Sequence, residues 1–351
     1  MRNLGDTIGR LAARQAAAMA GGGSAGSSRL SDLGGFGANP GALGARTYVP
    51  AGLPSGAPLV VVLHGCTQTA ADYDRGAGWS ALAEEQGFAL LFPEQVRTNN
   101  ANLCFNWFVP GDISRGGGEA LSIRNMIEAM AIAHGLDRRR IHITGLSAGG
   151  AMALAMLATY PEIFAGGAII AGVPFGSAAT VPEAFDRMRG QGLPAPATLT
   201  ARIRAASGHA GAWPTLSVWQ GSADNTVDPA NAEAIVAAWA HLTGAGAAQR
   251  VETAGGYTRR VWKDAQGSAA VEAIVIAGKG HGTPLATRGP EACGAAGPFM
   301  LDVGISSTRR IAAGWGIAPA VAAGASASAP AAATGIEAMI DTALRHAGLI
   351  R

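Results

Sequence analysis

Short unbroken apolar runs punctuate the chain at 59–63 (LVVVL), 88–92, 141–144, 166–171, 215–219 and 272–276, each of strand length and most bounded by Gly or Pro. Between many of them apolar residues recur at helical spacing, around 76–86, 119–134, 148–159 and 229–242. Strands that are apolar on both faces and alternate with helices predict a mostly parallel sheet covered on both sides, an α/β architecture. The stretch 174–212 breaks this rhythm with a Pro/Gly-rich segment and weak helical patterning, and is read as a small cap over the sheet. The folded domain is placed at 46–317. Before it, Leu4, Ile8 and Leu11 fall at helical spacing ahead of a flexible run from Gly21 to Ser28, so residues 1–45 read as an N-terminal helix and tether. After it, 318–334 is an Ala/Gly/Ser/Pro linker, and Ile336, Met339, Ile340 and Leu344 mark an amphipathic helix over 335–351. No internal repeat is found.

At 351 residues, with 48% of them apolar, the chain can bury a large core as one catalytic-sized domain with additions. Its net charge of +2 is scattered, with no basic stripe to neutralise a row of phosphates, which argues against nucleic acid as a partner. No apolar stretch reaches the roughly 18 residues needed to span a bilayer, so no transmembrane segment is expected. Asp6, Arg10 and Arg14 interrupt every candidate signal-peptide core near the start, and a cytoplasmic location is expected on that ground. Three cysteines are too few for a disulfide framework. Cys66 and Cys104 each sit in a loop after an apolar segment, which leaves a single bridge, and with it the compartment, open.

The residues Gly145-Leu146-Ser147-Ala148-Gly149 fit G-x-S-x-G. In a chain with 51 glycines that string alone is weak, with on the order of 0.4 chance matches expected. Its setting is more specific, because IHIT at 141–144 reads as a strand and AMALAMLATY from 151 as a helix. Ser147 therefore lies at a strand-to-helix turn, the nucleophile elbow of the α/β-hydrolase fold, and the predicted chemistry is that of a serine esterase. The bland reading is a Gly-rich turn whose serine caps the helix. A serine hydroxyl needs a base to take its proton, and in this fold acid and histidine follow the serine in the chain. His209 falls in the cap, His241 in a helical pattern and His346 near the C-terminus, whereas His281 follows the strand EAIVIA in the Gly-flanked loop GKGHGTP. His281 is the predicted base. Asp224 follows the strand TLSVWQ and is the predicted acid, while Asp228, just before Pro229 and a helix, reads as an N-cap and second choice. The N–H of Ala148 and that of Cys66, beyond the strand ending at His64-Gly65, are the predicted oxyanion donors. His64 is read as a hydrogen-bonded structural residue that shapes this loop.

At these positions the chain resembles the polyhydroxybutyrate depolymerase family of esterases, which also takes in feruloyl and acetylxylan esterases. The resemblance covers roughly 45–317. It rests on LHGCTQTAADYD at 63, GFALLFPEQ at 87, NLCFNWF at 102, RGGGEALSIRNMI at 115, GLSAGGAMA at 145, WQGSADNTVDPAN at 219, GKGHGTPL at 278 and CGAAGPFMLDVGISSTRRIAAGWG at 293. It implies a triad of Ser147, Asp224 and His281, oxyanion donors at Cys66 and Ala148, a substrate contact at Trp107 and a Cys66–Cys104 disulfide. It implies an aliphatic polyester or its oligomers as substrate, with feruloyl or acetylxylan esters as the alternative, and a secreted or periplasmic location. The sequence departs from secreted members of the family in having no clear signal peptide, in carrying Ile305 where some members place a cysteine able to pair with Cys293, and in showing no appended polymer-binding domain.

Trp107 can equally be a packing residue, and Trp79 is read as core. Gln68 and Glu94 are read as ordering loops at the site, with Gln68 counted also among the residues facing substrate. No cofactor and no metal are expected, since Cys and His do not cluster at ligand spacing and no phosphate-binding loop is present. A non-catalytic alternative would use the terminal helices on a polyester granule or a partner chain, or for homo-oligomerisation. The simpler expectation is that they dock on their own domain.

Overall fold

The computed structural model of the chain describes residues 28–248 and 250–321. The N-terminal helix, the C-terminal helix and most of the linker expected from the sequence lie outside the described residues. In chain order the strands are β1 (Ser31–Asp32), β2 (Gly44–Tyr48), β3 (Leu59–Leu63), β4 (Ala89–Glu94), β5 (Ile141–Leu146), β6 (Gly166–Ile170), β7 (Thr215–Gly221), β8 (Arg250–Ala254), β9 (Tyr257–Lys263), β10 (Ala269–Ile276), β11 (Thr283–Leu285) and β12 (Met300–Asp302). The helices are α1 (Ala70–Ala77), α2 (Trp79–Gln86), α3 (Gly118–His134), α4 (Ala148–Thr159), α5 (Val181–Met188), α6 (Pro196–Ser207), α7 (Ala230–Thr243) and α8 (Ser307–Gly314).

Ten strands form one sheet in the order β1-β2-β4-β3-β5-β6-β7-β10-β9-β8. The run from β4 to β10 is parallel, with antiparallel strands at both edges. Consecutive residues of β3 show why its run is apolar throughout. Leu59, Val61 and Leu63 enter a cluster with α3, α4 and α7, whereas Val60 and Val62 enter a second cluster with α1, α2 and α8 on the opposite face. This is an α/β-hydrolase sheet, buried on both sides, and its parallel strands all direct their carboxyl ends to one rim.

The helical pattern at 76–86 is split in two. Gly78 adopts φ 77°, and a Cβ there would lie 2.4 Å from the backbone N of Gly294, so the chain turns where a distant loop presses on it. The segment 174–212 also divides. Ala184 and Met188 of α5 pack with Trp107, Ala148 and Val227. Leu199 and Ile203 of α6 instead join Trp239 of α7 in the main core, and Thr200 donates to the Ala238 carbonyl, so α6 belongs to the helical layer. The described fold also begins earlier than 46. β1 pairs with β2, Leu30 and Leu43 are buried, and the segment between is tied down by side-chain bonds, Asn39 to Leu43 and Asn125 to Ala38. Such polar anchoring leaves no apolar period to read.

Candidate active site

Ser147 joins β5 to α4 at φ 57° and ψ −118°, a conformation that L-residues avoid and that the turn must impose. Its N–H is held by the Ile170 carbonyl at 2.8 Å. The flanking glycines are a steric requirement. A Cβ at Gly145 would lie 2.4 Å from the Gly149 carbonyl carbon, and one at Gly149 would lie 2.4 Å from the His64 carbonyl oxygen. The Ser147 hydroxyl makes no hydrogen bond among the described residues. Contacts of this kind are often long without substrate and tighten in the complex.

Beyond β7, Asp224 sits with its side chain fully enclosed. One carboxylate oxygen accepts the N–H groups of Thr226 and Val227, both at 2.9 Å, and the other accepts Gln220 Nε2 at 3.1 Å and faces His281 Nδ1 at 2.8 Å. Burial pushes this carboxyl up, but the hydrogen bond and charge of His281 and the two backbone donors outweigh it and hold it below the usual carboxylate range. With Nδ1 donating to a carboxylate, the imidazole keeps Nε2 free to accept a proton. Asp228 accepts instead from the Ala230 N–H at 2.8 Å at the start of α7, the capping role its sequence suggests.

The loop after β3 is fixed from inside. His64 Nε2 accepts the Gln95 N–H at 3.1 Å, so Nδ1 must donate to the Gly65 carbonyl at 2.8 Å. Burial lowers this imidazole to about 4, which keeps it neutral. Gln68 Oε1 accepts the Gly65 N–H at 2.9 Å, and Glu94 accepts the Ala70 N–H at the start of α1, so both order the loop. Neither the Cys66 N–H nor the Ala148 N–H has an acceptor among the described residues. Two backbone donors left without acceptors beside an elbow serine can receive a developing oxyanion. Cys66 and Cys104 are joined in a disulfide, and buried Trp107 packs with Ala148 and Val227 against this bridge. Trp79 is buried against Phe88 and Trp315, as core.

A cavity of about 460 Å³ runs beside these groups, lined by Thr67, Gln68, Arg97, Asn102, Phe299 and Met300 among others. It adjoins the Cys66 loop through Thr67 and His281 through Phe299, whose ring meets that of His281 edge-on at 6.0 Å. Sequence reading missed three supporting groups: Gln95, buried Glu119, which accepts from Gln95 and from the Asn106 N–H, and buried Lys279 in the His281 loop. A charged residue in sequence gives no sign of being enclosed. Among the described residues no group of three or more His, Cys, Asp or Glu could hold a metal, and no helix is long and apolar enough to cross a membrane.

Residues 43–263 match the family described as Esterase PHB depolymerase, a span that includes Ser147 and Asp224 and ends before His281. Poly(3-hydroxyalkanoate) depolymerase C of Paucimonas lemoignei is 45% identical over 291 residues, covering 82% of this chain and 70% of its own. Acetylxylan esterase A of Emericella nidulans is 32% identical over 265 residues, covering 72% and 84%. Among solved structures, acetyl xylan esterase from Aspergillus awamori superposes with a TM-score of 0.67 at 28% identity, covering 73% of this chain and 94% of its own.

Proposed function

Since the chain belongs to the Esterase PHB depolymerase family and is a carboxylic ester hydrolase, we propose that Ser147 is its nucleophile, His281 its base and Asp224 the acid behind the base, acting on aliphatic hydroxyacyl polyester or its oligomers. His281 Nε2 takes the hydroxyl proton as Ser147 Oγ adds to the ester carbonyl, and the oxyanion that forms is met by the N–H groups of Cys66 and Ala148. Collapse breaks the bond to the alcohol oxygen, which leaves with the proton from His281. Water then repeats the sequence on the acyl-enzyme and releases the acid. Asp224 stays ionised throughout and stabilises the imidazolium.

The observation that carries this reading is the 2.8 Å pairing of His281 Nδ1 with enclosed Asp224, at the same sheet rim as a serine held at positive φ. For the substrate, support comes from the 45% identity to a poly(3-hydroxyalkanoate) depolymerase, against 30% to Feruloyl esterase B of Talaromyces stipitatus. The cavity of about 460 Å³ beside the Cys66 loop also has room for chain beyond the scissile ester. The test compares 3-hydroxybutyrate oligomers, methyl ferulate, acetylated xylan and a p-nitrophenyl ester, with Ser147→Ala alongside. We expect the oligomers to have the highest kcat/KM and S147A to lose at least about 10³-fold in kcat on every substrate. Equal turnover by the mutant removes the mechanism, and preference for ferulate or acetylxylan replaces the substrate.

A further inference from the structure

The loop that carries His281 reads Gly278-Lys279-Gly280-His281-Gly282. Gly278 is at φ 67° and Gly282 at φ 154°. Glycines at such angles have large conformational freedom to lose on folding, so the sequence alone would leave the base loosely held. Lys279 is 4% exposed, and its ammonium donates to the carbonyl of Gly280 at 3.2 Å and to that of Gly282, the residues on either side of His281. The same residue's carbonyl accepts the Ala223 N–H at 3.0 Å, one position before the acid. The approach is close enough that a Cβ on Gly221 would lie 2.2 Å from that oxygen.

We propose that Lys279 is a positioning residue for the general base: its enclosed ammonium clamps the carbonyls flanking His281 while its backbone holds the Asp224 loop, fixing the imidazole between acid and serine. This rests on the assignment of His281 and Asp224 given above. A lysine suits the task because an ammonium offers three donors and no acceptor, so it can gather carbonyl oxygens that glycine side chains cannot. Its positive charge lies near the Asp224 carboxylate, which draws the ammonium toward the protonated form while burial lowers it to about 8. Geometric holding of this sort matters because displacement of a reacting group by about 1 Å can cost 10²-fold in rate.

The experiment is steady-state kinetics on a p-nitrophenyl ester for the full chain and for Lys279→Met, Lys279→Gln and Lys279→Arg, with thermal midpoints and with S147A and His281→Ala as controls. For K279M we expect kcat to fall about 10- to 100-fold with KM within about twofold of wild type, and K279R, which retains charge and donors, to regain part of kcat. A fluorophosphonate that labels Ser147 through the same base should react correspondingly more slowly with K279M. A folded K279M with kcat within twofold of wild type overturns the clamp. Parallel losses in kcat, KM and thermal midpoint, with no recovery in K279R, also overturn it by reducing Lys279 to a packing role. Should K279M fail to fold, K279Q decides by the same criteria. If S147A and H281A remain active, it is the assignment of the reacting groups that fails, which separates that outcome from failure of the clamp.

Discussion

Asp224 and Asp228 occupy one loop and serve different partners, which makes them a sharp test of reading chemistry from single residues. Asp224 has His281 Nδ1 and three further donors around it, whereas Asp228 spends its carboxylate on the first turn of α7. Because the Asp224 carboxyl is held below its usual range, its stabilising contribution is present above the ordinary carboxyl pKa and is lost only as pH falls through the lower folded value. Asp224→Asn should therefore leave stability near neutral pH largely to the remaining hydrogen bonds, but it offers an amide donor where His281 Nδ1–H needs an acceptor. We expect kcat to drop by about 10³- to 10⁴-fold on a p-nitrophenyl ester, with KM little changed. Asp228→Asn should keep kcat within about twofold, since Asn caps nearly as well as Asp. Equal losses in the two variants would reassign the acid. At this scale the strand-end places of Ser147, His281 and Asp224, and the pairing of the last two, were legible because each follows an apolar strand. Lys279, Gln95 and Glu119 were not, because a buried polar or charged side chain and an exposed one look the same in sequence.

Among the elements, α3 and β4 are joined by a polar contact inside an apolar layer. Glu119, in the first turn of α3, accepts the Asn106 N–H at 3.0 Å and a donor of Gln95, which follows β4 and whose N–H holds His64. The Glu119 carboxyl group thus ties a helix to the loop that presents Cys66. Burial pushes the Glu119 carboxyl up to about 8 against the pull of these donors, with Asp112 adding to the rise. A folded pKa above the unfolded one gives a contribution that is fully present below about 4.5 and is lost as pH climbs toward 8. Denaturant midpoints of the wild type and Glu119→Gln should show this directly, with the variant gaining on the wild type between pH 4.5 and 8. A difference independent of pH would refute the assignment. The elements most easily read were the central strands, which are apolar on both faces. The β8–β9 hairpin and β2 escaped because edge strands mix polar and apolar positions: β9 carries Arg259 and Arg260, paired with Glu272 and Glu233. The break between α1 and α2 was hidden because its cause, the loop at Gly294, is distant in sequence.

For the whole molecule, the parallel sheet brings loops from remote parts of the chain to one rim, and what holds them there is partly covalent. The Cys66–Cys104 bridge spans a sequence separation of 38 and joins the loop after β3 to the segment that presents Trp107. A closed loop of that length removes about 4 kcal/mol of unfolded-chain entropy in the usual polymer estimate, a large share of a domain's net stability. Such bridges persist in oxidising compartments and are lost in reducing ones. Thiol labelling of the denatured, unreduced protein should therefore find one reactive cysteine, Cys293, which is buried and free in the fold. Reduction, or the paired substitution Cys66→Ser and Cys104→Ser, should lower the denaturant midpoint and also kcat, because the Cys66 N–H would lose its fixed bearing on the oxyanion while the Asp224–His281 pair, on other loops, stays intact. Three reactive thiols in protein that retains full activity would show that hydrogen bonds from Gln68 and His64 suffice to hold the loop.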